Sequence, residues 1–278
     1  MTRAHEAEAA LRTQLAASSP SAALDAALLL AHVLGLSRAA LAARPELELT
    51  AAQAVRLGRL AVRRAAGEPL AYLTGRREFW SLDLDVTPDV LVPRPETELL
   101  VEWALEILSG KPGPAVLDLG TGSGAIALAI AHERPDARVT AIDISEPALA
   151  VARGNAGRLA LANLLFVAGD WFQPVATARF DLIASNPPYV AAGDPALAAL
   201  AHEPRVALIA GDDGLRALEA ICAGAGSRLA CGGSLLVEHG ATQGAQIRAW
   251  MARWGLADIE SRHDLAGHER ATRGISGR

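Results

Sequence analysis

The sequence predicts an α/β protein, a parallel sheet with helices on both faces, preceded by a small all-helical domain. Three observations lead there. From residue 115 onward short apolar runs alternate with helical patterns, as repeated βα units require. A glycine-rich turn, Gly120-Thr121-Gly122-Ser123-Gly124, joins the first of those runs to a helix. The first 75 residues show helical spacing and no convincing strand.

Residues 1–75 are rich in Ala, Leu, Arg and Glu and are punctuated at Ser18-Ser19-Pro20, Gly35, Pro45, Thr50 and Gly67-Glu68-Pro69. Four or five short helices are expected, with Ser21 and Thr50 as N-caps and Val55, Leu57, Leu60 and Ala61 on one apolar stripe. Residues 76–93 are expected as a linker, in which Glu78 to Val86 alternates like a strand or hairpin. The remainder, 94–278, is the second domain. It opens with Pro93-Arg94-Pro95-Glu96-Thr97-Glu98, where Pro95 suits the first helical position and the acids complement a helix N-terminus.

Strands are expected at Ala115–Leu119, Arg138–Ile142, Leu164–Val167, Phe180–Ser185 and Ser234–Glu238, with final strands near Ala257–Arg262 and Ala271–Ile275. Between them fall helices at Ala125–His132, Glu146–Arg158, Leu215–Leu229 and Gln243–Trp254.

The chain has 278 residues, 51% of them hydrophobic, enough for two domains and a large core. A net charge of −5 argues against a general nucleic-acid binder, whose phosphate contacts need a basic face. Cys222 and Cys231 fit no metal spacing and are expected as small apolar fillers. Two thiols in a chain of this size point to a reducing cytoplasm, and no targeting segment or membrane span is evident. The apolar run Ala22–Leu36 contains Asp25 and His32 and is too short to span a bilayer.

Glycines in the loop Gly120–Gly124 let the backbone turn sharply, and the following helix N-terminus would offer N–H groups to an anion. Asp143 stands 19 residues beyond Gly124, at the end of the second strand, where a carboxylate can hold ribose hydroxyls. Asp170-Trp171 ends the third strand and could flank an adenine. These features indicate an adenosine cofactor and leave NAD and S-adenosyl-L-methionine both open.

The fourth strand ends at Asn186-Pro187-Pro188-Tyr189. Neither proline can donate to a ladder, so the chain must leave the sheet at the edge where such sheets bind ligands. Asn186 brings a side-chain carbonyl, Pro187 a backbone carbonyl and Tyr189 a flat face. Together they suit a planar group bearing –NH2, whose lone pair is freed when two acceptors draw its hydrogens out of plane. Hydride transfer has no use for such a pair, whereas methyl transfer to nitrogen does. The tetrapeptide alone could equally be a strand-ending turn.

With these residues in view, the sequence resembles the S-adenosylmethionine-dependent amino-methyltransferases. It is more similar still to the bacterial peptide chain release factor glutamine methyltransferases. The likeness covers nearly the whole chain. It rests on Pro69-x-x-Tyr72-x-x-Gly75 with Arg77-Glu78-Phe79-Trp80, Pro93 to Glu98, the glycine loop, Asp170-Trp171-Phe172 and Asn186 to Val190. It extends to Glu203-Pro204 and Gly211-Asp212-Asp213-Gly214-Leu215, with Ala210 standing where the family has glycine.

The resemblance implies a Rossmann-like methyltransferase sheet in which Gly120, Thr121, Gly122, Ser123, Gly124, Asp143, Asp170, Trp171 and Asn186 contact S-adenosyl-L-methionine. It implies that Asn186, Pro187, Pro188 and Tyr189 hold the glutamine of a release factor's Gly-Gly-Gln tripeptide, with S-adenosyl-L-homocysteine as product. It further implies that the helical domain helps engage class 1 release factors, that Arg94 and Thr97 lie near the site, and that no metal is needed. A monomer without direct nucleic-acid binding is expected. Three alternatives remain: a glutamine methyltransferase for a ribosomal protein, a DNA or RNA amino-methyltransferase taking a flipped base, and a scaffold that binds release factors without catalysis.

Overall fold

The computed structural model describes residues 2–277, which divide between Arg76 and Arg77 into two compact units. The first comprises β1 (Thr2–Arg3), α1 (Ala4–Leu15), α2 (Ala22–Leu34), α3 (Arg38–Ala42), β2 (Glu48–Leu49), α4 (Ala51–Ala65) and α5 (Leu70–Thr74). Its core joins Leu11 and Leu15 of α1, Leu29 and Leu30 of α2, and Leu57, Leu60 and Ala61 of α4. Val55, expected on that stripe, is 57% exposed, because two residues before Leu57 it points about 200° away around the helix.

Two expectations for this unit change. β1 and β2 pair antiparallel, a ladder of two residues too short to leave a periodic trace in sequence. Thr50 caps α4 in a reciprocal box with Gln53, but Ser21 makes no cap bond. Ser21 instead donates its hydroxyl to Asp25 (3.0 Å), which also takes Ser19 Oγ (2.7 Å) and Arg64 Nε (2.7 Å). A buried carboxylate outcompetes the backbone for that hydroxyl because a charged acceptor forms the stronger bond.

The chain enters the second unit along the hairpin of β3 (Arg76–Phe79) and β4 (Leu82–Asp85), turned through Trp80 and Ser81 at φ 51° and 58°. Two consecutive positive φ values match the right-handed twist of the flanking strands. Phe79, Leu82 and Leu84 are buried against Val101, Leu128 and Ala129. The segment expected as a linker is thus packed into the second unit's core.

There follow α6 (Glu98–Leu108), β5 (Ala115–Leu119), α7 (Ala125–Glu133), β6 (Arg138–Asp143), α8 (Glu146–Arg158), β7 (Leu164–Ala168) and β8 (Phe180–Ser185). The chain ends with α9 (Arg216–Ala225), β9 (Leu229–Glu238), α10 (Gly244–Arg253), β10 (Leu256–His263) and β11 (Glu269–Ser276). Among the described residues these build a seven-stranded sheet in the order β10-β11-β9-β8-β5-β6-β7.

Alternate residues of each strand feed opposite faces. Val116, Leu182 and Leu236 pack with α6 and α7, while Leu117, Ile183 and Leu235 pack with α9 and α10. The sheet is mixed rather than parallel: β11 runs antiparallel between β9 and β10. The β10–β11 hairpin needs only the short turn at Asp264–His268, so no crossover helix separates them. β9 begins five residues earlier than expected because its register with β8 shifts between Leu229 and Ser234. Cys222 is buried, as a filler should be, whereas Cys231 lies in that shifted stretch and is exposed.

Candidate active site

β5 pairs with β6 on one side and β8 on the other, both parallel, so the strand order reverses between β5 and β8. Crevices outside the C-terminal ends of strands at such a reversal are where ligands bind. Leu119 and Ser185 are register partners, and Ser185 Oγ donates to Leu119 O at 2.7 Å. The glycine loop and Asn186 therefore leave the sheet side by side. Between them opens a cavity of about 500 Å³, lined by Thr97, Gly120 to Ser123, Asp143, Asp170, Trp171, Asn186 and Pro188.

The loop is held by its own hydrogen bonds. Gly120 and Thr121 both donate N–H to Ile142 O (2.9 and 3.0 Å), Gly124 donates to Thr121 O (2.8 Å), and Gly122 donates to Asp143 Oδ2 (2.8 Å). Four of the five loop N–H groups expected to greet an anion are therefore already committed. Gly124, at φ 87°, packs so closely that a Cβ would come within 2.8 Å of Leu128 Cδ1 and 3.2 Å of Ala152 Cβ. Beneath the loop, Asp118 is fully buried; its Oδ2 accepts from Thr121 Oγ1 (2.6 Å) and Ala127 N (3.2 Å) while Oδ1 has no partner. Burial pushes this carboxyl up to about 7.

Asp143 accepts one backbone N–H on each oxygen, from Gly122 and from Ser145 (2.9 Å). Each oxygen keeps a further lone-pair direction for a hydroxyl. Burial raises its pKa despite those bonds. Trp171 is half-buried at φ 44° and takes part in both the cavity wall and the core behind it. A cavity with a carboxylate that still has acceptor capacity, a tryptophan beside it and few free N–H groups fits a nucleoside cofactor without phosphates.

On the opposite wall a buried chain of hydrogen bonds fixes the strand-end motif. Asn186 Nδ2 donates to Thr97 Oγ1 (3.0 Å), Thr97 Oγ1 donates to Glu238 Oε2 (2.7 Å), and Tyr189 OH donates to Glu238 Oε1 (3.2 Å). Gln243 Nε2 donates to Tyr189 O (3.1 Å), tethering the backbone after the prolines. Arg94 pairs with Glu203, whose other oxygen accepts Val92 N at 3.0 Å, joining the cavity's rim to the segment beyond Tyr189.

Comparison with known proteins agrees at both ends of the chain. Residues 6–75 match the family described as PrmC N-terminal domain, and residues 96–248 match the methyltransferase small domain. A release factor glutamine methyltransferase of Burkholderia pseudomallei is 52% identical over 95% of this chain and 96% of that protein. The chain belongs to the release factor glutamine methyltransferase family. A second member, from Bordetella pertussis, is also 52% identical, over 90% of this chain and 94% of its own. A Pyrococcus furiosus methyltransferase of known structure shares the fold at a TM-score of 0.54 and 20% identity, covering 81% of this chain and 99% of that one.

In this methyltransferase most of the residues singled out from sequence gather around one cavity, with three exceptions. Gly124 does not line it and packs against Leu128 and Ala152. Pro187 is buried and Tyr189 half-buried, and neither lines the cavity; the tyrosine packs against the core formed with α9 and α10. No hydrogen bond ends on the Pro187 carbonyl among the described residues. Sequence reasoning missed Glu238 and Asp118 altogether and left Thr97 without a role. Asp118 interrupts the apolar run of β5 and Glu238 closes that of β9, and a carboxylate on a buried strand was the available signal.

Proposed function

We propose that this methyltransferase moves a methyl group from S-adenosyl-L-methionine to the side-chain amide nitrogen of the glutamine in the Gly-Gly-Gln tripeptide of class 1 peptide chain release factors. The orientation of Asn186 carries the proposal. One Nδ2 hydrogen is given to Thr97, which turns Oδ1 the other way as the acceptor for a donor, and a primary amide supplies one. The Pro187 carbonyl, unpaired and flanked by the cavity-lining Asn186 and Pro188 although Pro187 itself does not line the cavity, would be the second acceptor. Each takes one N–H of the glutamine amide, and both gain strength as positive charge develops on the nitrogen, which lowers the barrier rather than only tightening binding.

S-adenosyl-L-methionine, when bound, supplies an activated sulfonium methyl and leaves as S-adenosyl-L-homocysteine. Asp143 would hold its ribose hydroxyls, Trp171 and Asp170 its adenine, and residues 120–124 its backbone-facing edge. The committed loop N–H groups favour this cofactor over a dinucleotide, whose pyrophosphate would need them free. The helical unit would engage the body of the release factor, in keeping with its match to the family's N-terminal domain.

Mass spectrometry of a purified release factor incubated with enzyme and S-adenosyl-L-methionine should show a single added methyl, on the tripeptide glutamine. Asn186→Ala should lower transfer at least about a hundredfold, while calorimetry still detects the cofactor. Full transfer by that variant would end the proposal.

A further inference from the structure

Glu238 is 1% exposed, ends β9 and takes no part in the chemistry above, yet both polar side chains of the strand-end motif lead to it. We propose that Glu238, acting through Thr97, is the positioning residue that sets which way the Asn186 amide faces. The inference rests on the glutamine-binding role assigned to Asn186.

The logic is one of hydrogen-bond polarity. A hydroxyl has a single hydrogen. With Glu238 ionised, Thr97 must give that hydrogen to Oε2, 2.7 Å away, and can only accept from Asn186. Asn186 therefore turns Nδ2 toward Thr97 at 3.0 Å and Oδ1 the other way. If the residue at 238 donates instead, Thr97 is free to donate onward, and the partner it then prefers is Asn186 Oδ1. The amide flips, and the pocket presents an N–H to a substrate that itself brings N–H groups. Tyr189 holds the other end: burial and Glu238 push its phenol pKa up, so it stays a donor to Oε1.

The charged surroundings bear on when Glu238 is ionised. Burial is the largest influence and raises it to about 7, Glu96 pushes the same way, and bonds from Thr97 and Tyr189 together with the Arg270 guanidinium pull it back. Arg270 sits on β11, whose Ala271 is the register partner of Glu238, and is itself bound to Asp264. His239, the next residue, has its pKa lowered by burial and bonds Thr272 rather than Glu238. Arg94 acts on Tyr189 only by its charge. As pH falls through about 7 the carboxyl gains a proton, the polarity reverses and transfer declines.

Glu238→Gln is the sharpest variant. Tyr189 still donates to the amide oxygen of the new side chain, which leaves its NH2 facing Thr97 and reverses the chain with almost no change of shape. Transfer to a release factor should fall by about tenfold or more in kcat, with cofactor affinity measured by calorimetry within about threefold of the parent. Thr97→Val should fall similarly, and Thr97→Ser, which keeps the hydroxyl, should recover most of the rate. The low-pH limb of the kcat profile should vanish in Glu238→Gln.

Orientation can be read without turnover. Asparagine occurs only at 155, 163 and 186, so 15N-asparagine labelling gives three side-chain amide signals, with Asn186→Ala assigning the third. The Asn186 signal should shift between about pH 6 and pH 8 in the parent and stay still in Glu238→Gln. Unchanged kcat in Glu238→Gln, or Thr97→Ser as slow as Thr97→Val, would overturn the positioning role, as would an Asn186 signal that ignores pH in the parent. A parent that leaves release factors unmethylated would strike the glutamine assignment instead, and the amide signal would still decide the polarity.

Discussion

At position 118 a carboxylate lies beneath the cofactor loop with one oxygen satisfied twice and the other not at all. Its folded pKa, about 7, exceeds that of an exposed aspartate. Between those values the folded chain binds more protons than the unfolded one, so this group's contribution to stability falls as pH rises through the window and is fully lost above it. Asp118→Asn keeps an acceptor for Thr121 and Ala127 and cannot ionise. Urea unfolding of both proteins at about pH 5 and pH 8 should show the parent losing ground to the variant at the higher pH. A pH-independent difference would mean that Asp118 is not the strained acid its burial indicates. The same linkage applies to Glu238, whose titration reaches activity as well as stability because that carboxylate's partners end in the catalytic pocket.

Among the elements, the segment after Tyr189 is held by a glycine. Gly214 sits at φ 74°, and a Cβ there would meet Tyr189 O at 2.5 Å and Ala191 N at 2.9 Å. Both are backbone atoms, so the strand-end motif itself would have to move. Gly214→Ala should destabilise the chain by about 1–3 kcal/mol and lower kcat more than that loss explains, measured by urea unfolding and methyl transfer on one preparation. In the helical unit, Asp25 joins α2 to Arg64 of α4 in an ion pair that is almost dry on the acid's side. Asp25→Ala leaves the guanidinium and two hydroxyls without their acceptor and should cost about 3 kcal/mol of that unit's stability. A cost below about 1 kcal/mol would show that water replaces the carboxylate freely.

For the molecule as a whole, the second unit has a core on each sheet face and a third beneath the hairpin, all drawn from residues beyond 77. A chain with its own core folds alone. Removing residues 2–76 should therefore leave cofactor affinity near the parent's and leave methylation of a short Gly-Gly-Gln peptide nearly intact. Methylation of a whole release factor should drop by about tenfold or more in kcat/KM, if the helical unit supplies the remote binding energy proposed for it. Equal rates on the whole factor would remove recognition from that unit.

The sequence by itself determined the βα alternation, the glycine turn after β5, Asp143 at the end of β6 and the proline-forced exit after β8, because each is written in contiguous residues with a local physical cause. Periodicity reports which face is buried, glycine and proline report what the backbone can do, and all act within a few positions. Only the tertiary structure decided that β11 slots antiparallel into the sheet, that Cys231 faces out, and that Ser21 serves Asp25 instead of capping α2. It alone brought Thr97, Asn186 and Glu238, far apart in the chain, into one line of hydrogen bonds. Strand order and hydrogen-bond polarity depend on partners that meet only when the sheet closes, and no local pattern of residue types encodes which way a shared proton points.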